Sequence, residues 1–190
     1  MRLEPAQTPI FRRQAMKITL AVTDEDRRIA WLASVAVGLS VAESVIPSPL
    51  PGIKPGLANI VTLVVLDRFG WRAAAWVSLL RVVAGAILAG TFLSPTFVLS
   101  LAGAVAALAA LLPARALPAT WFGPVSHSVL AAGAHMSAQL AVVCFWFMPH
   151  VPVAALLPFF LLAALLFGVV NGIIASVLLG RLAQGERVLA

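Results

Sequence analysis

The chain has 190 residues, 62% of them hydrophobic and only 11% charged, with a mean hydropathy of +1.03. A soluble domain of this length carries about 25% charged residues, so this composition excludes a soluble globular protein and implies an all-α integral membrane protein. The net charge of +6 does not point to nucleic acid, because the basic residues sit at the edges of apolar runs, where lipid headgroups and membrane topology account for them.

Residues 1–27 are polar and mixed in charge, with no long apolar run before Trp31. They read as a cytoplasmic N-terminal extension and not as a secretory signal, since the hydrophobic stretch behind the basic end is too short. The membrane domain is expected over 28–180, with a cytoplasmic tail at 181–190. A spanning helix needs about 20 apolar residues. Candidates lie at 28–46, a short one at 56–67, then 73–91, 97–113, 124–148 and 153–179, separated by "PSPLPGIKPG", "DRFGWR", "TFLSPT", "PARALPATWFGP" and "MPHVP". The expected fold is thus a six-transmembrane-helix bundle with a short second helix.

Charge bias orients it. With an even number of crossings and both termini inside, the cytoplasmic side holds Arg2, Arg12, Arg13, Lys17, Arg27, Arg28, Arg68, Arg72, Arg115, Arg181 and Arg187. The outer loops hold only Lys54, and Arg81 falls within a span. This asymmetry places both termini in the cytoplasm and the chain in the cytoplasmic (inner) membrane as a multi-pass protein.

The first outer segment, "AESVIPSPLPGIKPGLANI" (42–60), is the most irregular part of the chain. The first helix reaches Glu43 near its outer end, and the chain then turns through Pro47, Pro49, Pro51 and Gly52, passes Lys54 and starts a helix at Pro55-Gly56. That helix is too short to cross about 30 Å of hydrocarbon alone. Its first amides are therefore expected to open below the outer surface, in protein or a wet cavity, where a helix N-terminus favours an anion. The physical reading is a lid over a helix-end pocket; the bland one is a compact outer hairpin without a ligand.

Polar residues inside the spans bear on that choice. Arg81 lies in "AAAWVSLLRVVAGAILAG", where a charge is costly without a partner or water. Ser78, Arg81 and Gly85 share one helical face, as do Ser128, Ala132, His135 and Gln139 in the fifth span. Glu43, Lys54, Gly56, Asn59, Arg81, His135 and Gln139 are the candidate ligand-binding residues. Alternatively Arg81 pairs with Glu43 to lock the bundle, and His135 and Gln139 are interhelical hydrogen-bonding glue. His127 reads as structural, and Asn171 as support for close packing beside Gly168 and Gly172. In the first span Ala30, Ser34, Gly38 and Ala42 recur every four residues as a smooth stripe. Packing inside the bundle is its default use, and docking of a partner subunit the sharper one.

Several chemistries find no support. Asp24, Asp26 and Asp67 form no DDxxD pattern for magnesium and diphosphate, and no GxxxxGK[ST], GxSxG or HExxH occurs. A single cysteine, Cys144, excludes an intrachain disulfide and a CxxC pair. The histidines show no metal or haem spacing. The chain is expected to be no enzyme and to hold no metal.

"ESVIPSPLPGIKPGLANIVTL" (43–63), "SLLRVVAGAILAGTFLSPTFVLSLAGA" (78–104) and "GPVSHSVLAAGAHMSAQLAV" (123–142) closely resemble the Gx transporter family, also called heptaprenyl diphosphate synthase component I. The resemblance covers about residues 28–180. The family is similar to the substrate-binding S components of energy-coupling factor transporters, which implies six helices, cytoplasmic termini and an outward pocket capped by the first external loop. It also implies docking of the first helix, through its small residues, on an energising transmembrane subunit that works with ATPases.

Two functions therefore stand side by side. One is a binding and transport subunit that captures a small anionic or prenylated solute, needs no cofactor and works in the lipid membrane with no nucleic acid. The other, implied by relatives that accompany flavin-based extracellular electron transfer, is a membrane redox subunit in which His135, Gln139 and Arg81 border a quinone or flavin headgroup. A non-catalytic partner of a heptaprenyl diphosphate synthase is a third.

Overall fold

The computed structural model describes residues 22–45, 56–114, 116–118, 122–149 and 153–189. Five α-helices follow one another: α1 (Asp24–Val45), α2 (Leu57–Leu88), α3 (Pro95–Ala114), α4 (Pro124–Val142) and α5 (Leu157–Leu189). A π-helical turn, Val143–Phe147, prolongs α4, and a 3-10 turn, Val153–Leu156, leads into α5. No strand occurs among the described residues. Among the described residues, four segments are long and apolar enough to cross a membrane: Leu57–Leu88, Pro95–Ala114, Pro124–Phe147 and Leu157–Gln184. Much of their apolar surface faces outward; on α5, Leu162, Leu166, Val170, Ile173 and Val177 are all at least half exposed. Lipid is the environment that such a surface fits.

The expected second and third spans fall within α2, which is not one straight rod. Gly70, with φ 81° and ψ −176°, interrupts it inside the sequence "DRFGWR". That conformation is open essentially to glycine alone. Asn59 and Arg81 lie on either side of the break yet line the same cavity. In a continuous helix they would stand about 33 Å apart at 1.5 Å per residue. The chain therefore folds back at Gly70, and α2 consists of a short arm, 57–69, and a longer one, 71–88. The short arm measures about 20 Å by the same rise, less than the hydrocarbon thickness.

Small residues allow the helices to close around this hairpin. Ala33 and Ala36 of α1, Val65, Leu66, Ala73, Ala74 and Val77 of α2, Leu111 of α3 and Ala131 of α4 form one buried cluster near the Gly70 end. α4 lies between α3 and α5 and packs extensively on both. Its approach to α5 is so close that a Cβ on Gly172 would lie 2.6 Å from the Val125 Cα. The opposite end, where α1 finishes and α3 and α5 begin, is less tightly filled. α5 also continues through residues 181–189, which the sequence reads as a tail.

Candidate functional site

At that looser end all five helices border a cavity of about 530 Å³, within the range of small-molecule pockets. Six of the seven sequence-selected ligand residues line it: Glu43 from α1, Gly56 and Asn59 from the start of α2, Arg81 from its second arm, and His135 and Gln139 from α4. Lys54 lies outside the described residues, as does the proline-rich segment around it. The remaining walls are mixed. Thr96 and Ser100 on α3 and Ser40 on α1 add hydroxyls, while Phe97, Phe160 and Phe167 add aromatic surface.

Each charged group reaches the cavity for a local reason. Arg81 stands one turn beyond Ser78 and one before Gly85, so the inner face of the second arm carries it inward. It is only 8% exposed, and its Nε has no hydrogen-bond partner. Glu43 does not pair with it. An ion pair joins Arg27 to Asp24 at 3.5 Å, on the surface. Instead, the Glu43 carboxylate accepts a hydrogen bond from the backbone N–H of Leu57.

That contact corrects one expectation. The first amide of the short arm is not held open toward the cavity but is capped by the chain's own carboxylate. The acid and the helix N-terminus satisfy each other, as the helix dipole favours. Among the described residues Arg81 is left without a direct ion-pair partner, and the Glu43 charge reaches it only through space. The alternative of an Arg81–Glu43 lock is likewise not what forms.

Asn171, read from the sequence as packing support, is a cavity residue. It is 4% exposed, and its Nδ2 donates to the Gly56 carbonyl at 3.3 Å, tying α5 to the start of α2. Gly56 holds a left-handed conformation, φ 75°, and its carbonyl also accepts the Asn59 N–H at 2.8 Å. The His135 ring packs against α3 where there is no side chain: a Cβ on Gly103 would lie 2.6–2.7 Å from its Cε1, Nε2 and Cδ2 atoms. His135 Nδ1 is buried without a partner. His127 does not line the cavity; its Nδ1 lies 3.1 Å from the Gly123 carbonyl and its ring meets Phe122 edge-on.

The sequence held a signal for some of what was missed. Thr96, Ser100 and Gly103 share a face of α3 at spacings of four and three, and Asn171 is a lone amide inside an apolar helix. The arrangement can seat an anionic or hydrogen-bonding group against Arg81, His135 and Gln139, with an apolar body among the phenylalanines. Among the described residues, no three His, Cys, Asp or Glu side chains gather as metal ligands.

The small-residue stripe of α1 lies elsewhere. Ala33, Ala36 and Glu43 are the buried side of that helix, whereas Ala30, Ser34, Gly38 and Ala42 are exposed. A Cβ on Gly38 would meet nothing within 4 Å. The stripe therefore lies on the exposed side of α1.

The chain matches no curated protein and no solved structure at a level that carries inference. A family model described as heptaprenyl diphosphate synthase component I matches residues 32–178, well over half of the sequence and every residue that lines the cavity. The chain belongs to the heptaprenyl diphosphate synthase component I family.

Proposed function

We propose that the protein is a multi-pass substrate-binding subunit for membrane transport, built like an energy-coupling factor S component. It crosses the membrane six times with both termini in the cytoplasm, α1 and the two arms of α2 supplying the first three crossings. Its cavity opens outward and captures a small solute that carries an anionic group and an apolar portion. The protein acts by binding, without catalysis.

One observation carries this reading: Arg81 is buried in a large cavity with its Nε unpartnered. Taking a guanidinium out of water costs several kcal/mol unless something compensates it. Glu43 caps Leu57 and acts on Arg81 only through its field, without a direct ion pair, so a ligand anion is the natural direct partner. His135, Gln139, Asn59 and Asn171 surround it with hydrogen-bonding groups. The exposed Ala30, Ser34, Gly38 and Ala42 face suits docking on a separate energising subunit, since small residues let helices approach closely.

Native mass spectrometry of the detergent-purified protein tests the reading. The wild type should carry a co-purifying small molecule that the Arg81→Ala variant lacks, with both proteins inserted in the membrane in equal amounts. A variant that keeps the molecule at wild-type occupancy would remove Arg81 from the site. Gly38→Leu should release associated subunits and leave occupancy unchanged; undiminished co-purification of the subunits would refute docking on that face.

The family description supports a second reading, a non-catalytic membrane partner of a prenyl diphosphate synthase. The same spectra separate the two, because a soluble synthase subunit on an empty cavity would favour the partner role. A bound quinone or flavin, visible by its absorbance, would assign the cavity to electron transfer.

A further inference from the structure

Beneath the main cavity lies a second, much smaller void of about 20 Å³. It is bordered by Thr62 in the short arm of α2, Ser78 in the long arm, Ser128 in α4 and Asn171 in α5, with Asn59 and Asn171 shared with the cavity above. Three of these are almost wholly withdrawn from solvent: Ser78 is 3% exposed, Ser128 4% and Asn171 4%. Thr62 is 6% exposed, and its Oγ1 is buried with no hydrogen-bond partner in the protein. A threonine hydroxyl left unmatched in an apolar bundle is costly. A void needs about 10–15 Å³ to admit one water molecule, which then seeks two to four polar partners. This recess meets both conditions.

We infer that the recess is a binding site for a single uncharged oxygen, held by Thr62, Ser78, Ser128 and Asn171, which bridges both arms of α2 to α4 and α5. An uncharged occupant follows from the lining. No carboxylate borders the void to hold a cation, and Arg81, one turn from Ser78, opposes one. The space is too small for phosphate or a carboxylate. Hydroxyls both donate and accept, which suits water or the tip of a hydroxyl-bearing solute reaching down from the cavity. Either would fix the floor on which Asn59 and Asn171 stand.

The test is the sign of a thermal shift. Thr62→Val keeps the shape of the side chain and removes the hydroxyl, which has no partner in the protein. If the recess holds an oxygen, Thr62→Val lowers Tm by at least about 2 °C, and Thr62→Ser, which keeps the hydroxyl, retains most of the wild-type Tm. Thr62→Val combined with Ser78→Ala then loses less than the sum of the two, because both groups serve one occupant. If Thr62→Val leaves Tm unchanged or raises it, the recess is dry and the inference fails. A wild-type Tm that falls when choline replaces sodium, or gluconate replaces chloride, with the fall abolished by Thr62→Val, would also overturn it in favour of an ion in the recess.

Repeating Thr62→Val on protein that native mass spectrometry shows to be free of small molecules assigns the source. A shift that persists identifies water, and one confined to loaded protein identifies the solute's own oxygen. The thermal shift in stripped protein does not depend on any solute, so the transport reading can fail while this site stands.

Discussion

The two ends of the bundle are built from the same apolar residue types and solve opposite problems. At the Gly70 end, alanines and valines from four helices close into a core, and Gly172 lets α4 and α5 touch backbone to side chain. At the other end the helices spread around about 530 Å³ and turn Glu43, Arg81, His135 and Gln139 inward. Stability is concentrated at the packed end, and the open end keeps a buried charge at a cost. Glycine marks the contrast: Gly172 is pressed against Val125 and Ser128 of α4, whereas Gly85, on the cavity wall, would present a Cβ to nothing within 4 Å.

The largest effect should therefore come from the packed end. In Gly172→Ala the new methyl would sit 2.6 Å from the Val125 Cα and 3.0 Å from the Ser128 Cβ, and neither can rotate away. Forcing α4 and α5 apart should cost about 1–3 kcal/mol or more, seen as a lower Tm in detergent. An unchanged Tm would mean that the helices slide apart freely and that the packed end is not the stable one.

The same comparison predicts gains at the open end. Arg81→Met exchanges a buried charge that has no direct ion pair for an apolar side chain of similar length. It should raise stability by about 1–3 kcal/mol while abolishing solute occupancy. Lower stability would show that Arg81 holds the bundle together and is structural. Gly85→Ala is gentler: relief of glycine's helix penalty should add about 0.5–1 kcal/mol. Equal losses from Gly85→Ala and Gly172→Ala would erase the distinction between the ends.

Much of this was legible before any coordinates, and the failures have a common cause. The break at "DRFGWR" and the starts of α3 and α4 followed from glycine, proline and charge, which act locally. Helical spacing placed Arg81 beside Ser78 and Gly85, and His135 beside Ser128 and Gln139, so their meeting at one cavity could be expected. What spacing does not give is which neighbour each face meets. Glu43 and Leu57 are separated by a proline-rich segment, so their hydrogen bond depends on how α1 and α2 pack, and the first of the amides expected to open there is capped. The α1 stripe was visible as a stripe, but its outward orientation follows from burial of the opposite side through Ala33 and Ala36. Asn171 was missed because an asparagine beside two glycines looks the same whether it supports packing or faces a void.

The smallest effect belongs to the exposed start of α1, outside both ends of the comparison. Thr23 and Asp26 cap this helix reciprocally: the Thr23 N–H and hydroxyl donate to the Asp26 carboxylate at 2.9 and 2.7 Å, and the Asp26 N–H donates to the Thr23 Oγ1 at 3.1 Å. These hydrogen bonds hold the Asp26 carboxyl below its ordinary value of 3.8. A carboxyl lowered by folding stabilises the folded helix above its unfolded value, and that contribution disappears as pH falls through the folded one. Amide exchange at the start of α1 should therefore be constant from neutral pH down to about 4, once corrected for intrinsic rates, and rise below it. Thr23→Ala should speed exchange above pH 4 and flatten the acid step. The buried core near Gly70 should show neither change. An identical acid step in the variant would show that the Thr23–Asp26 cap is not its cause.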